Sequence, residues 1–169
     1  MVNDFVTGKL GFKGALDIVP NIRGLLAKAR ARRIPIIYVC DSHSPDDPEI
    51  RVWGEHSMAG TKGSKVVPEL KPEKGEPVLT KNTYDIFSNT KLDGLLRKKD
   101  IKELILTGVV TDICIQNSAA GAFFRGYTVI VPEDCVASPD KKAHKYALDY
   151  MKRIYGAKIT KSKDTIEGW

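Results

Sequence analysis

Residues Leu104 to Ser138, reading LILTGVVTDICIQNSAAGAFFRGYTVIVPEDCVAS, restrict the fold more than any other stretch of the chain. An apolar strand, Leu104–Thr107, meets Gly108 and a tight turn, Val109–Val110–Thr111–Asp112. Cys114 follows in the first turn of a small-residue helix, and a second apolar strand, Tyr127–Val131, closes the unit. The thiol stands at the strand-to-helix elbow. There the helix dipole and unpaired N–H groups favour a thiolate and can hold an oxyanion. Cys114 therefore reads as a nucleophile, with a buried, inert thiol as the competing reading. Cys40 and Cys135 end apolar runs without such a turn and read as core.

Composition narrows the class. A chain of 169 residues is sized for one domain spanning 1–169 with its own core. The sequence shows no apolar run of membrane-spanning length and no signal peptide, so a cytoplasmic location and no membrane partner are expected. Three widely spaced cysteines do not make a disulfide framework, and a redox role would need two of them within bonding distance. The net charge of +6 raises the question of nucleic acid. Arg30, Arg32, Arg33, Lys98, Lys99, Lys141, Lys142, Lys152 and Arg153 are scattered, however, without the interleaved aromatics of a base-stacking surface. A solvated basic surface and no nucleic-acid partner follow. Gln116 is the only glutamine, which together with abundant Lys and Glu leans toward a thermophilic source.

Periodicity supplies the remaining elements. Helices are expected over Val19–Arg32, with Pro20 in the first turn, and over Leu92–Lys98, Cys114–Arg125 and Lys141–Tyr155. A short helix is expected near Val66–Leu70. Strands are expected over Pro35–Cys40, Val78–Thr80, Glu103–Thr107, Tyr127–Val131 and Lys158–Thr160. Asp41 to Glu76 is a long polar stretch of the kind that is usually functional or mobile. Alternating strands and helices imply an α/β fold, a three-layer α/β/α sandwich around a mostly parallel sheet. Ligands of such sheets gather at the carboxyl ends of the strands. Asp41, Lys81 and Cys114 all follow strands and can converge there. The first helix lacks a preceding strand, because Met1–Gly14 reads as a polar loop.

Several residues carry candidate chemistry. Asp41, His43 and His56 lie in one loop, and a carboxylate with two imidazoles suits Zn, with Fe or Mn as alternatives. Glu49 could add a ligand; solvated loop histidines are the competing reading. Lys81 at a strand end can pair with a thiolate and steady an oxyanion, or be one exposed lysine among many. Phe5, Trp53, Tyr84 and Phe87 could wall a pocket for a flat ring, or be plain core or rim.

Together these pieces resemble the isochorismatase-like (Rossmann-like) cysteine hydrolases, and within them the nicotinamidases. The resemblance rests on Gly108-Val109-Val110-Thr111-Asp112-Ile113-Cys114, followed by Ala119-Ala120, Gly126-Tyr127 and Asp134-Cys135. It implies Cys114 as nucleophile, Lys81 as catalytic lysine, and a cis peptide between Val109 and Val110. It also implies an oxyanion hole from the Val110 and Cys114 N–H groups. Asp41, His43 and His56 match metal ligands, Glu49 an extra ligand, and Trp53 a pocket tryptophan. The implied activity is hydrolysis of nicotinamide, or a similar ring amide, to the acid and ammonia through a thioester. The implied cofactor is a divalent metal ion, and the implied assembly a homo-oligomer, dimer or tetramer. Metal-free hydrolysis of isochorismate or a ureido compound, and a catalytically silent binding protein, are the alternatives. Met1-Val2-Asn3-Asp4-Phe5 resembles the segment that follows the family's first strand, and Asp4 matches its second, non-catalytic acid. The first strand and the catalytic aspartate would lie before Met1. Their absence here leads to two expectations, a start at an internal methionine or an impaired enzyme.

Overall fold

The computed structural model describes residues 1–165. Two short helices, α1 (Asn3–Val6) and α2 (Lys13–Asp17), open the chain where the sequence reads as a polar loop. Their anchors are few but deep: Val2 bridges Val66, and Val2, Val6 and Ala15 are buried. Helix α3 (Val19–Ala31) has Pro20 in its first turn and buries the stripe Ile22, Leu25 and Ala29. Strand β1 (Tyr38–Asp41) is the paired end of the run expected from Pro35. Helix α4 (Pro48–Trp53) lies inside the long polar stretch and was not expected there. A proline at its start and Gly54, at φ 73°, at its end delimit it.

A 3-10 turn, Pro68–Leu70, leads to β2 (Val78–Lys81), then α5 (Leu92–Lys98) and β3 (Glu103–Ile105). The strand expected over Glu103–Thr107 is interrupted. Gly108, at φ 122°, redirects the backbone into β4 (Gly108–Val109), which takes a different partner. The helix expected from Cys114 begins later, because Thr111–Ile115 forms a π turn before α6 (Gln116–Phe124). Next come β5 (Thr128–Pro132), β6 (Val136–Ala137), α7 (Lys141–Tyr155), β7 (Lys158–Thr160) and α8 (Ser162–Thr165). Asp140 caps α7 by accepting from the Lys142 and Ala143 N–H groups, and Gly156 ends it in the left-handed region.

Every strand pairing is parallel: β1 with β2, β3 with β5, β5 with β7, and β4 with β6. The strands lie between two apolar layers. Leu92, Leu96, Ala119, Ala122, Leu148 and Met151 pack one face with Leu104 and Leu106; Ile22, Leu25 and Ala29 pack the other with Ile105. That period-two alternation is what a strand buried on both faces requires. The expected α/β/α sandwich is observed. No helix among the described residues is long and apolar enough to cross a membrane.

The sheet is not continuous. Among the described residues β1 pairs only with β2, and β3 only with β5. Between β1 and β3 lie two cavities of about 190 Å³ each, both lined by Ile34, Pro35, Ile37, Val39 and Ile105. The slot is apolar on both sides, with β1 on one edge and β3 on the other. Strand edges without a neighbour lack ladder bonds and open easily. Amide hydrogen exchange checks this: slot-side amides of β1 and β3 are expected to exchange at least about tenfold faster than those of β5, which has neighbours on both sides. Equal protection would mean the slot is closed in solution.

Candidate active site

The register of β1 against β2 builds the site's base. It sets Asp41 directly opposite Lys81 at the carboxyl ends of both strands, and both side chains are buried. They form an ion pair. The Lys81 Nζ also donates to the Thr83 carbonyl, 2.8 Å away, and lies 3.8 Å from Cys114 Sγ. Burial works against the ammonium, but Cys114 and Asp41 outweigh it and hold the Lys81 pKa above its ordinary value. The three strand-end residues thus meet as expected.

The elbow differs from the expectation in one respect. Burial pushes the Cys114 thiol up to about 11, although the Lys81 charge and the Val110 N–H both pull it down. The favourable helix-end environment expected for the thiolate is outweighed by desolvation. Lys81 is the main charged group pulling the thiol down. The Val109–Val110 peptide is cis. The turn is braced from behind: Thr111 Oγ1 lies 2.9 Å from His144 Nδ1 on α7, and the Ser138 hydroxyl donates to Asp112. Cys40 and Cys135 are buried, as expected for core thiols.

Asp41, His43, Glu49 and His56 form one buried group whose ligand atoms lie within 4.8 Å of one another. Helix α4 brings Glu49 into it, and pairing of His43 with the Ser57–Ala59 segment closes the loop around it. The imidazoles are aimed from outside. Asp47 Oδ2 sits 3.3 Å from His43 Nδ1, and the Gly54 carbonyl sits 2.8 Å from His56 Nδ1. Both Nε2 atoms therefore face Glu49 Oε2, at 3.7 and 3.9 Å. His43 Nε2 and Glu49 Oε1 are buried without a hydrogen-bond partner. Burial and the neighbouring Asp41 push the Glu49 carboxyl up to about 7. Unpartnered, converging nitrogen and carboxylate donors suit a divalent ion such as Zn, Fe or Mn.

Asp47 and the Gly54 carbonyl escaped sequence reasoning. A backbone carbonyl leaves no signature, and Asp47 is one acid among several in a long polar stretch. Asp47 is itself held by the Ser44 N–H at 2.8 Å and by Asn82 at 3.0 Å. Asp4 has a structural part, accepting from the Ser57 N–H at 2.7 Å beside His56.

A cavity of about 270 Å³ opens onto Cys114. Phe5, Trp53, Tyr84, Val109 and Val110 line it. Trp53 Nε1 donates to the Tyr84 hydroxyl at 3.0 Å, so the two rings hold each other at the rim. Phe87 does not line it. Its ring is buried in the core, stacked on Tyr127 at 5.8 Å and covered by Arg125. The apolar layer at that position outcompetes the pocket for the ring.

The isochorismatase domain family matches residues 1–164. The crystal structure of N-carbamoylsarcosine amidase from Thermoplasma acidophilum is similar at a TM-score of 0.93 and 44% identity, over 99% of this chain and 95% of that one. Nicotinamidase PncA from Bacillus subtilis is similar at a TM-score of 0.90 and 29% identity, over 95% and 94%. The ureidoacrylate amidohydrolase RutB of Enterobacter sp. is 34% identical, over 82% of this chain and 70% of its own.

The orienting role of Asp47 is testable. Metal partners of this kind typically contribute 10- to 100-fold in affinity. Asp47→Ala should weaken Zn binding by about that factor, measured by competition with a chromophoric chelator. Unchanged affinity would mean His43 is aimed by something else.

Proposed function

The chain belongs to the isochorismatase family, and on that premise we propose that it is a metal-assisted cysteine amidohydrolase acting on nicotinamide or a similar ring amide. The family assignment and the amidohydrolase class are the firm ground. One observation carries the finer reading: Lys81 joins Asp41 to Cys114 where a metal-competent group and an aromatic-walled cavity meet. Phe5 and the Trp53–Tyr84 pair offer aromatic walls suited to a flat ring.

The chemistry follows from the positions. Cys114 Sγ attacks the amide carbonyl carbon, and the Val110 N–H beside it steadies the developing oxyanion. Lys81 stabilises the thiolate before attack. The C–N bond breaks, and the thiol proton ends on the departing ammonia. Water then cleaves the thioester, releasing the acid and restoring the thiol. Asp41, His43, Glu49 and His56 would hold the metal, which when bound supplies a Lewis acid for the ring nitrogen or the attacking water. The chain's own residues keep that region dry, since all four are buried.

A second reading, an N-carbamoyl substrate, is favoured by the 44% identity to N-carbamoylsarcosine amidase. Ammonia release from nicotinamide and from N-carbamoylsarcosine, measured on the metal-loaded protein, separates the two. The proposal expects nicotinamide turnover that falls at least about a thousandfold in Cys114→Ser and about 100- to 1,000-fold in Lys81→Ala. Turnover of the carbamoyl compound alone would overturn the ring-amide reading.

A further inference from the structure

The chain holds three histidines. His43 and His56 belong to the metal-competent group. His144 stands apart from it, in the first turn of α7. Its Nδ1 lies 2.9 Å from the hydroxyl of Thr111, the residue that opens the π turn carrying Cys114. Thr111 is fully buried, and among the described residues His144 is the hydrogen-bond partner of its hydroxyl. The bond forms with either tautomer: the hydroxyl donates to a bare Nδ1 or accepts from Nδ1–H. His144 does not line the cavity in front of Cys114, so it offers nothing directly to a substrate there.

The π turn depends on ties to its surroundings. Turns of this kind are rare and short, and here the Ile113 and Ile115 N–H groups both donate to one acceptor, the Val110 carbonyl, at 3.2 Å. Two adjacent side chains fasten the turn to the rest of the fold. Asp112 accepts from the Ser138 hydroxyl, just after β6. Thr111 is held by His144 on α7, a helix fixed in turn by its Asp140 cap and by buried Ala147, Leu148 and Met151. Between these two ties the turn presents the Cys114 thiol 3.8 Å from Lys81 Nζ. A displacement of about 1 Å at a reacting centre costs on the order of 100-fold in rate, even when its cause lies away from the chemistry.

We propose that His144 is a positioning residue for the nucleophile: through Thr111 it locks the π turn to α7 and so keeps the Cys114 thiol within reach of Lys81. The inference rests on the reading of Cys114 as a nucleophile and adds a residue that touches neither substrate nor thiol. Without the imidazole, Thr111 keeps a fully buried hydroxyl with no partner, and the turn has to move for it to find one. The tie between Asp112 and Ser138 remains, so the turn loosens on one side while its other side stays fastened.

Substitutions on both sides of the bond test it. Thr111→Val and His144→Leu remove it at nearly constant volume. Thr111→Ser keeps the hydroxyl, and His144→Asn keeps a polar atom near the place of Nδ1. With the metal-loaded protein and nicotinamide, Thr111→Val and His144→Leu are each expected to lower kcat at least about tenfold while KM stays within about twofold. Thr111→Ser and His144→Asn are expected to stay within about threefold of the wild-type kcat. The double variant Thr111→Val with His144→Leu is expected to be within about twofold of the slower single one, because both changes remove the same bond. Thr111→Val reads that bond from its other side if His144→Leu folds poorly. A kcat unmoved by either of the bond-removing changes, a His144→Asn as slow as His144→Leu, or losses that multiply in the double variant would overturn the proposal.

Alkylation of Cys114 by iodoacetamide gives an arm that needs no turnover. The sulfur forms an S–C bond and expels iodide, and the thiol proton goes to the buffer. The rate, read by mass spectrometry of the Cys114 peptide, is expected to fall at least about threefold in His144→Leu and to recover in His144→Asn, because a thiol displaced from Lys81 is less ionised. A rate unchanged or raised in His144→Leu would overturn the proposal. If alkylation follows the bond and no amide is hydrolysed, the amidase reading fails and the positioning role stands. If nicotinamide is hydrolysed and neither readout responds to His144, the positioning role fails alone.

Discussion

The site depends on one buried ammonium. Lys81 sits at the carboxyl end of a parallel strand with almost no access to water. A charge there is tolerable only with an anionic partner in contact. The register of β1 and β2 provides that partner as Asp41, and the π turn sets the Cys114 thiol 3.8 Å from the same ammonium. Remove the lysine and Asp41 becomes an unpaired buried carboxylate, while Cys114 loses the main charge that holds its proton affinity down. Strand pairing, metal-group geometry and nucleophile therefore share one electrostatic centre.

The metal-competent group is built outward from the same centre. Asp41 belongs to both, so the ion pair and the four-residue group cannot be arranged independently. Second-layer contacts then aim the imidazoles: Asp47 behind His43 and the Gly54 carbonyl behind His56. Such contacts fix the tautomer and leave the opposite nitrogen free for a ligand. The aromatic rim of Phe5, Trp53 and Tyr84 shapes what can approach.

Much of this was legible in the sequence, for identifiable reasons. Leu92–Lys98, Lys141–Tyr155 and Lys158–Thr160 have the same bounds in sequence and structure, the two helices because their apolar spacing is regular. Asp41, Lys81 and Cys114 could be brought together because strand ends in a parallel sheet share one edge. What stayed hidden was set by tertiary contact. Helix α4 is short and exposes Val52 and Trp53, so no apolar stripe announced it. The split of the Glu103–Thr107 strand depends on Gly108 changing partners. Phe87 lies three residues beyond Tyr84, yet packs into the core, because aromatic spacing alone does not say which layer a ring enters. Burial at the elbow, which pushes the Cys114 thiol up, has no signature in the sequence.

Ultraviolet titration of the Cys114 thiolate, in the wild-type protein and in Lys81→Met, tests the central coupling most directly. Cys114→Ser supplies the baseline from the two core thiols. Because the Lys81 charge favours the thiolate, its removal must raise the Cys114 pKa above that of the wild-type protein. The account predicts that upward shift, with the thiolate band moving to higher pH in Lys81→Met. An unchanged or lower pKa would contradict the claim that Lys81 is what holds the nucleophile.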